Sequence, residues 1–378
     1  MASVVVNGDT SGAVTLSAPA VAGTVTVTLP STSGTMLTTA STTGISGSAI
    51  SSGTVPEAYG GTGTSTGYYG FKNRIINGAM GIWQRGTSFT SGGSATYTAD
   101  RFFGNGSSGT ISRSTDVPAG FIYSLSNAAS STAYPGIAQR IESVNIADCA
   151  SQAITVSFYV KQTSGTAAGL NINLAYPTAV DNYSSSTTII ETNVVATMPS
   201  SWTRYSYTYT LPANVTNGLS ATLFVPSASI TATFLITGIQ VEKGSAVTSF
   251  DYRPFGTELI LAQRYYEKSY AQGTTPGTAT EANCSWLGTG FQSLNSTSGF
   301  QSGITPYYVT KRTTGCSILT WDSSGNANAW TRYYVGVSPY TNYATTISQI
   351  SDRGFSIQVA GSQATTNVMG HWTCSAEL

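Results

Sequence analysis

Every second residue between 154 and 160 is apolar: Ile154, Val156, Phe158 and Val160 alternate with Thr155, Ser157 and Tyr159. A period of two puts one set on the inner face of a packed sheet and the other on its outer face. Phe355, Ile357 and Val359 repeat the pattern against Ser356 and Gln358. Val25, Val27 and Leu29 repeat it against Thr24, Thr26 and Thr28 before Pro30 ends the run. Further strand-like runs between turn residues are predicted at 96–103, 120–125, 170–175, 202–209, 219–225 and 230–241, then at 284–291, 307–311, 316–321, 330–337 and 371–376. Within 230–241, Ala232, Phe234 and Ile236 share one phase, while Ile239 and Val241 take the other beyond Gly238. A bulge at Gly238 returns both sets to the core. Tyr205, Tyr207 and Tyr209 form a ladder, either at the edge of the core or on an exposed aromatic face.

The period changes once. Across 258–268, Leu261 and Tyr265, and Leu259, Ala262 and Tyr266, follow three- and four-residue spacing, which predicts one short helix with Thr257 as its cap, Glu258 near its positive end and Lys268 near its negative end. Strands never alternate with helices, so the predicted fold class is all-β: antiparallel, jelly-roll-like β-sandwich domains with one short linking helix. Residues 1–70 are nearly all Val, Ala, Ser, Thr, Gly and Pro, with Asp9 and Glu57 their only charges, and read as an extended β-rich segment ending in the glycine-rich connector YGGTGTSTGYYG. The expected division is 1–70, a sandwich over 71–256, a linking helix over 257–269 and a distal sandwich over 270–378.

Composition narrows the functions this fold can carry. Only 8% of the 378 residues are charged, against about a quarter in an ordinary soluble domain. Lys+Arg and Asp+Glu are both 16, so the counterion-release term that drives nucleic-acid binding is missing and no nucleic-acid partner is expected. The N-terminus shows neither a basic region nor a long apolar run, so no secretory signal and no membrane insertion are expected. Cys149, Cys284, Cys316 and Cys374 lack metal-site spacing and read as small buried hydrophobes. No cofactor is expected: the GK[ST] ending of a phosphate loop is absent, and no metal ligands are assigned, although a calcium site of carboxylates and carbonyls in a sandwich loop stays open without an EF-hand string.

The segments NRIINGAMGIWQRG from Asn73, YTADRFFG from Tyr97, ITVSFYVK from Ile154, WTRYSYTYTLP from Trp202 and ITGIQVEKGSAVTSFDYRPFGTELILAQRYYEKSY from Ile236 resemble a sandwich domain of bacteriophage tail fibre and related virion proteins. The ending GHWTCSAEL is similar to the close of their distal domain, and LSAPAVAGTVTVTLPSTSGTML from Leu16 is similar to their attachment text. The resemblance implies a homotrimer located in the virion and fixed to other virion proteins through residues 1–70. It also implies a carbohydrate-binding-module-like jelly-roll middle and an exposed distal domain that attaches to a host cell-surface glycan. Between Ala271 and Val368 the text departs from that pattern, so the resemblance transfers no ligand specificity.

Glycan contact needs aromatic rings that stack on sugar faces and polar groups that bond hydroxyls. Trp321, Asp322, Asn326, Asn328, Trp330, Arg332 and Tyr333 cluster around the turn-rich SSGNANA stretch and form the first candidate site; the competing assignment is a hairpin whose tryptophans close the core. Tyr307 and Tyr308, with Lys311 and Arg312, form the second, because consecutive tyrosines in a strand face opposite ways. No catalytic residue is assigned. The single histidine, His371, has no GxSxG partner and reads as structural or interfacial. A tailspike-like glycan depolymerase would need two facing carboxylates, for which Glu142 with Asp148, Asp181 with Glu191, or Asp251 with Glu258 are the candidate pairs. A structural or head-attached fibre without direct receptor binding is the other alternative.

Overall fold

A computed structural model describes residues 3–7, 13–17, 71–91, 96–105, 109–132, 134–167, 169–227, 230–287, 300–333, 340–359 and 367–378. The predicted strand at Val25–Leu29 and the connector before residue 71 lie outside them. Met1–Gly53 and Thr54–Leu378 are two compact units. In the first, β1 (Ser3–Asn7) pairs antiparallel with β2 (Ala13–Ser17), placing Val5 opposite Thr15.

The second unit opens with two six-stranded antiparallel sheets around one core. One sheet runs in the order β11 (Asn182–Val195), β10 (Leu170–Ala179), β13 (Leu219–Phe224), β8 (Gly136–Ile141), β5 (Phe103–Asn105), β4 (Thr96–Tyr97). The other runs β12 (Thr203–Thr210), β9 (Ala153–Gly165), β14 (Ile230–Lys243), β7 (Ser124–Thr132), β6 (Gly109–Ser114), β3 (Ser88–Ser91). Ile154, Val156, Phe158 and Val160 of β9 are all buried, and they share the core with Ile172, Leu223 and Ile137 of the opposite sheet. Tyr205, Tyr207 and Tyr209 lie on β12 at the sheet edge, half-buried against this core.

The bulge falls where the pattern placed it. Pairing of β14 with β9 shifts between Thr237 and Gln240, and Ala232, Phe234, Ile236, Ile239 and Val241 are all buried. Gly238 adopts φ +63°, and a Cβ there would sit 2.8 Å from the Phe121 ring and 2.9 Å from the Tyr159 ring. A side chain at this position would thus be strained and would also displace two aromatics.

The helix and the distal strands depart from expectation. Helix α1 spans Phe255–Gln263, with Pro254 rather than Thr257 at its N-cap, and Glu258 in its first turn. Tyr266–Lys268, expected to be helical, is strand β15, paired with β22 (Asn367–Ser375) from Tyr266↔Ser375 to Lys268↔Thr373. Sheet pairing overrides the local helical period there. The helix does not stand free between domains: Ala262 and Tyr265 pack on Ile76 and Ile82 of the sandwich.

Strand β22 organises the remainder. It also pairs with β16 (Ser285–Leu287), β18 (Ser317–Trp321) and β19 (Ala329–Tyr333), and the eight-stranded antiparallel sheet is completed by β20 (Tyr340–Ser348), β21 (Gly354–Val359) and β17 (Phe300–Pro306). Its core holds Trp330, Trp372, Phe355, Ile357, Cys374 and Tyr307. The observed architecture is the predicted class: mostly antiparallel β-sheet, with a single short α-helix among the described residues.

Buried charges join this sheet to the sandwich through Glu142 and Glu377, and brace it internally through Glu267. Glu142 accepts hydrogen bonds from Arg264 at 3.1 and 3.2 Å and from the Tyr265 hydroxyl at 2.7 Å. Glu377 pairs with Arg85 at 3.0 Å and with Arg101, whose guanidinium lies 3.5 Å from the centre of the Tyr265 ring. Glu267 pairs with Lys311 with both side chains wholly buried, and it also accepts the backbone N–H groups of Tyr308 at 2.7 Å and Val309 at 3.2 Å.

Candidate functional site

The structure splits the first predicted glycan cluster into an interior and a surface. Trp330, Arg332 and Asp322 are buried, and Trp330 donates from its indole to the His371 carbonyl at 3.3 Å. Rings and guanidinium groups so enclosed cannot lie against a sugar. Asp322 instead organises the loop: its carboxylate accepts the N–H groups of Ser324 and Asn326 at 2.9 Å each, the Asn326 amide at 2.8 Å and the Asn342 N–H at 2.5 Å. The loop is not a hairpin, because β18 and β19 pair with β22 in one continuing register, Trp321↔His371 and then Thr331↔Met369. Residues 322–328 form an excursion within that edge.

Trp321 and Asn326 remain half-buried, and Asn328 is exposed with φ +56°. Trp321 meets Tyr270 edge-on, with ring centroids 6.1 Å apart. Tyr333 lies on β19 opposite Asn367; its side chain falls outside the described set. In the second cluster Tyr307 packs against Trp372 inside the core while Tyr308 is 76% exposed. The segment is not a strand, since β17 ends at Pro306. Lys311 is spent on Glu267, and Arg312 donates to the carbonyls of Ala376 and Glu377 at 2.6 and 3.0 Å. Neither cation is available to a ligand, which corrects the sequence expectation.

His371 is buried. Its ring stacks on Tyr270 with centroids 3.6 Å apart, Nδ1 lies 3.2 Å from the Ser269 hydroxyl, and Nε2 lies 3.1 Å from the Thr280 carbonyl and 3.3 Å from Cys284 Sγ. Burial pushes the imidazole below its ordinary value, while burial, with Glu281 and Asp322 adding to it, pushes the Cys284 thiol up to about 11. Thiol and imidazole are therefore both neutral, the opposite of an activated nucleophile pair. The other cysteines, Cys149, Cys316 and Cys374, are buried and free. Among the described residues no three metal-ligating side chains gather into a site, and no helix is long and apolar enough to cross a membrane.

A cleft of about 230 Å³ lies at the end of the sandwich, lined by Asn73, Asn77, Ile122, Tyr123, Tyr252, Phe255 and other residues of the 73–82 and 250–258 segments. Its floor is rigid. Asn73 bonds through its side chain to the Ile239 carbonyl at 2.9 Å and to the N–H groups of Ile75 and Val241 at 2.9 and 3.0 Å. Gly78, in the turn at 78–79, lies directly against β14: its carbonyl accepts the Ile239 N–H at 3.0 Å, and a Cβ there would meet the Ile239 carbonyl oxygen at 2.1 Å. Arg253 donates to the carbonyls of Asn73 and Ile75 at 2.8 and 2.6 Å, tying the two segments together. Gln240 holds the approach, accepting the Asp251 N–H at 2.8 Å.

The walls are aromatic and open. Tyr252 is 54% exposed and Phe255 59%, and Ile122 stands out beside them. Phe121, Phe250 and Tyr252 pack against one another with centroids 5.1 to 6.1 Å apart, which supports the Tyr252 ring from behind. A supported, solvent-facing ring beside fixed polar groups is the arrangement that receives the apolar face of a sugar.

Asp251 and Glu258, one of the three acid pairs noted from sequence, both line this cleft. Burial raises the Glu258 carboxyl above its ordinary value against the opposing pull of Arg253. Each acid is nonetheless engaged: Asp251 accepts the Asn73 N–H at 3.1 Å, while Glu258 accepts the Asn77 N–H and pairs with Arg253 at 3.2 Å. Protonating Glu258 for acid catalysis would break the bonds that hold the floor. Of the other pairs, Glu142 serves Arg264, Asp148 pairs with Arg74 and Lys243, Asp181 holds Ser143, and Glu191 holds Asn173.

No protein-family model matches this chain, and no curated protein matches it. Among solved structures it is similar to the CBM22-1 xylan-binding domain of Paenibacillus barcinonensis Xyn10C, at 16% identity over 42% of this chain and 94% of that one, with a TM-score of 0.29. It is also similar to a putative sugar binding protein from Bacteroides thetaiotaomicron, at 10% identity over 46% of this chain and 100% of that one, TM-score 0.31. The enzymatically active domain of bacteriophage CBA120 tailspike protein 4 is 14% identical over 46% of this chain, which spans 22% of that one, TM-score 0.31. Likeness at this level assigns the chain neither a ligand nor a partner.

Proposed function

We propose that this protein is a bacteriophage fibre component that contacts a glycan of the bacterial surface through the cleft at the end of its sandwich, without cleaving it. The observation that carries the proposal is the pair of exposed aromatic rings, Tyr252 and Phe255, the first backed by Phe121 and Phe250, over a floor of hydrogen-bonded polar groups. Support for the fibre assignment comes from the sequence segments that resemble virion fibres. Two of them, from Asn73 and from Ile236, meet in space to build this cleft. Binding is favoured over hydrolysis because both cleft carboxylates already serve as acceptors for the floor. Residues 1–70 attach the chain to the virion and bring three copies together. Weak single sites then gain avidity by about 10²–10⁴-fold.

The test is binding of the full chain to polysaccharide extracted from bacterial envelopes. Tyr252→Ala combined with Phe255→Ala is expected to weaken binding by roughly 30-fold, on the scale of an aromatic hot spot. The melting transition should stay in place, because both rings are more than half exposed. Binding that survives both substitutions undiminished would overturn the assignment of the cleft. Release of reducing ends during the assay would overturn the non-catalytic reading.

A further inference from the structure

A second cavity, about 290 Å³, adjoins the aromatic cleft, and Gly81, Ile82, Tyr123 and Phe255 line both. The two form one groove with Tyr123 and Phe255 at its waist. The halves differ chemically. The second is walled by Thr87, Gln272, Thr274 and Thr275, together with the side chains of Gln84 and Arg113.

Arg113 is exposed, with its guanidinium carbon 4.5 Å from the centre of the Tyr123 ring. The other arginines that line or flank the groove are neutralised: Arg253 by Glu258, and Arg85 by Glu377. Among the described residues no carboxylate forms an ion pair with Arg113, and no hydrogen bond of its guanidinium is recorded; only its backbone N–H is used, on the Thr87 carbonyl at 2.9 Å. The ring beneath holds the guanidinium at the wall of the second cavity.

We infer that the groove takes an acidic saccharide of at least two sugar residues: one ring stacks on Tyr252 and Phe255, and the next presents a carboxylate or phosphate to Arg113. This rests on the glycan-binding role proposed above and specifies the ligand class. A guanidinium on an aromatic face offers two parallel N–H donors to a planar carboxylate, so an anionic sugar gains over its neutral counterpart. The gain weakens with salt, because the pair is at the surface.

The experiment uses the full chain on an array of acidic and neutral bacterial surface polysaccharides, each acidic one also present in carboxyl-reduced form. Acidic polysaccharides are expected to bind, and carboxyl reduction and Arg113→Gln are each expected to weaken them by roughly tenfold. Thr275→Trp, at an exposed position, fills the second cavity and should remove the advantage of a disaccharide over a monosaccharide. Binding to neutral polysaccharides that is lost with Tyr252 and Phe255 but indifferent to Arg113→Gln overturns this inference and leaves the aromatic cleft standing. An array with no binding at all overturns both.

Discussion

Replacing Glu267 with alanine is expected to cost about 3–5 kcal/mol, the range for stranding one member of a buried ion pair. Glu267 and Lys311 are both wholly buried, so the lysine left behind loses its counter-ion and keeps as acceptors only the carbonyls of Gln263 at 2.6 Å and Val309 at 2.9 Å. The loss is compounded at the backbone, where the N–H groups of Tyr308 and Val309 lose their acceptor as well. Lys311→Met should cost less, because the carboxylate that remains still accepts those two N–H groups. Chemical denaturation followed by the fluorescence of Trp330 and Trp372 reads both variants. A Glu267→Ala cost under about 1 kcal/mol, the range of a solvated surface pair, would show that Lys311 is hydrated rather than enclosed.

Glu377→Ala is expected to be nearly as damaging, again about 3–5 kcal/mol, because the Arg101 and Glu377 side chains are only 1% and 6% exposed. Arg101 would keep its bond to the Arg140 carbonyl at 2.6 Å and its place over the Tyr265 ring, so part of its environment survives. Arg85, stacked 3.6 Å from the centre of the Tyr266 ring, would lose the same carboxylate. The control is Asp148→Ala, which removes the partner of Arg74 and Lys243 at a carboxylate that is 37% exposed. It should cost only about 0–1 kcal/mol. Equal costs for the two variants would contradict the view that the sandwich and the distal sheet are held together by enclosed charge.

That view changes what the scarcity of charge means. A chain with 8% charged residues encloses Glu142, Glu267, Arg101 and Lys311 and nearly encloses Glu377. Asp116, Asp148 and Arg113 stay at the surface, and of these Arg113 lies against the open groove.

The strands legible in sequence were those with one apolar and one polar face. Residues 154–160 and 355–359 show it cleanly, and the Gly238 bulge could be read from a single change of phase. Strand β11 could not. Its text NYSSSTTIIETNVV is largely polar on both faces because it is an edge strand with little core to cover. The run at 120–125 was displaced: β7 begins at Ser124, and the apolar Phe121, Ile122 and Tyr123 before it serve the cleft instead. The helix was placed but extended too far, since its last five predicted residues, 264–268, follow helical spacing while β22 pulls Tyr266–Lys268 into a sheet.

The site was less legible than the fold, for a physical reason. Proximity in sequence points to the 321–333 cluster, yet Trp330 and Arg332 lie on β19, a strand covered on both faces, where Ala329, Trp330, Thr331 and Arg332 are all buried. The cleft takes its lining from 73–82, 122–123 and 250–258, segments distant in sequence that β14, Arg253, Asp251 and Glu258 tie together. The signal available in sequence is the aromatic and charged density of SFDYRPFGTE, which does not by itself distinguish a surface from a core edge.

Hydrogen–deuterium exchange of the full chain, with and without a bacterial envelope polysaccharide that it binds, tests the central claim most directly. Slowed exchange at 119–123 and 250–258, with 322–328 unchanged, is the predicted result. Protection confined to 322–328 while the cleft exchanges as before would contradict it and return the glycan site to the distal loop.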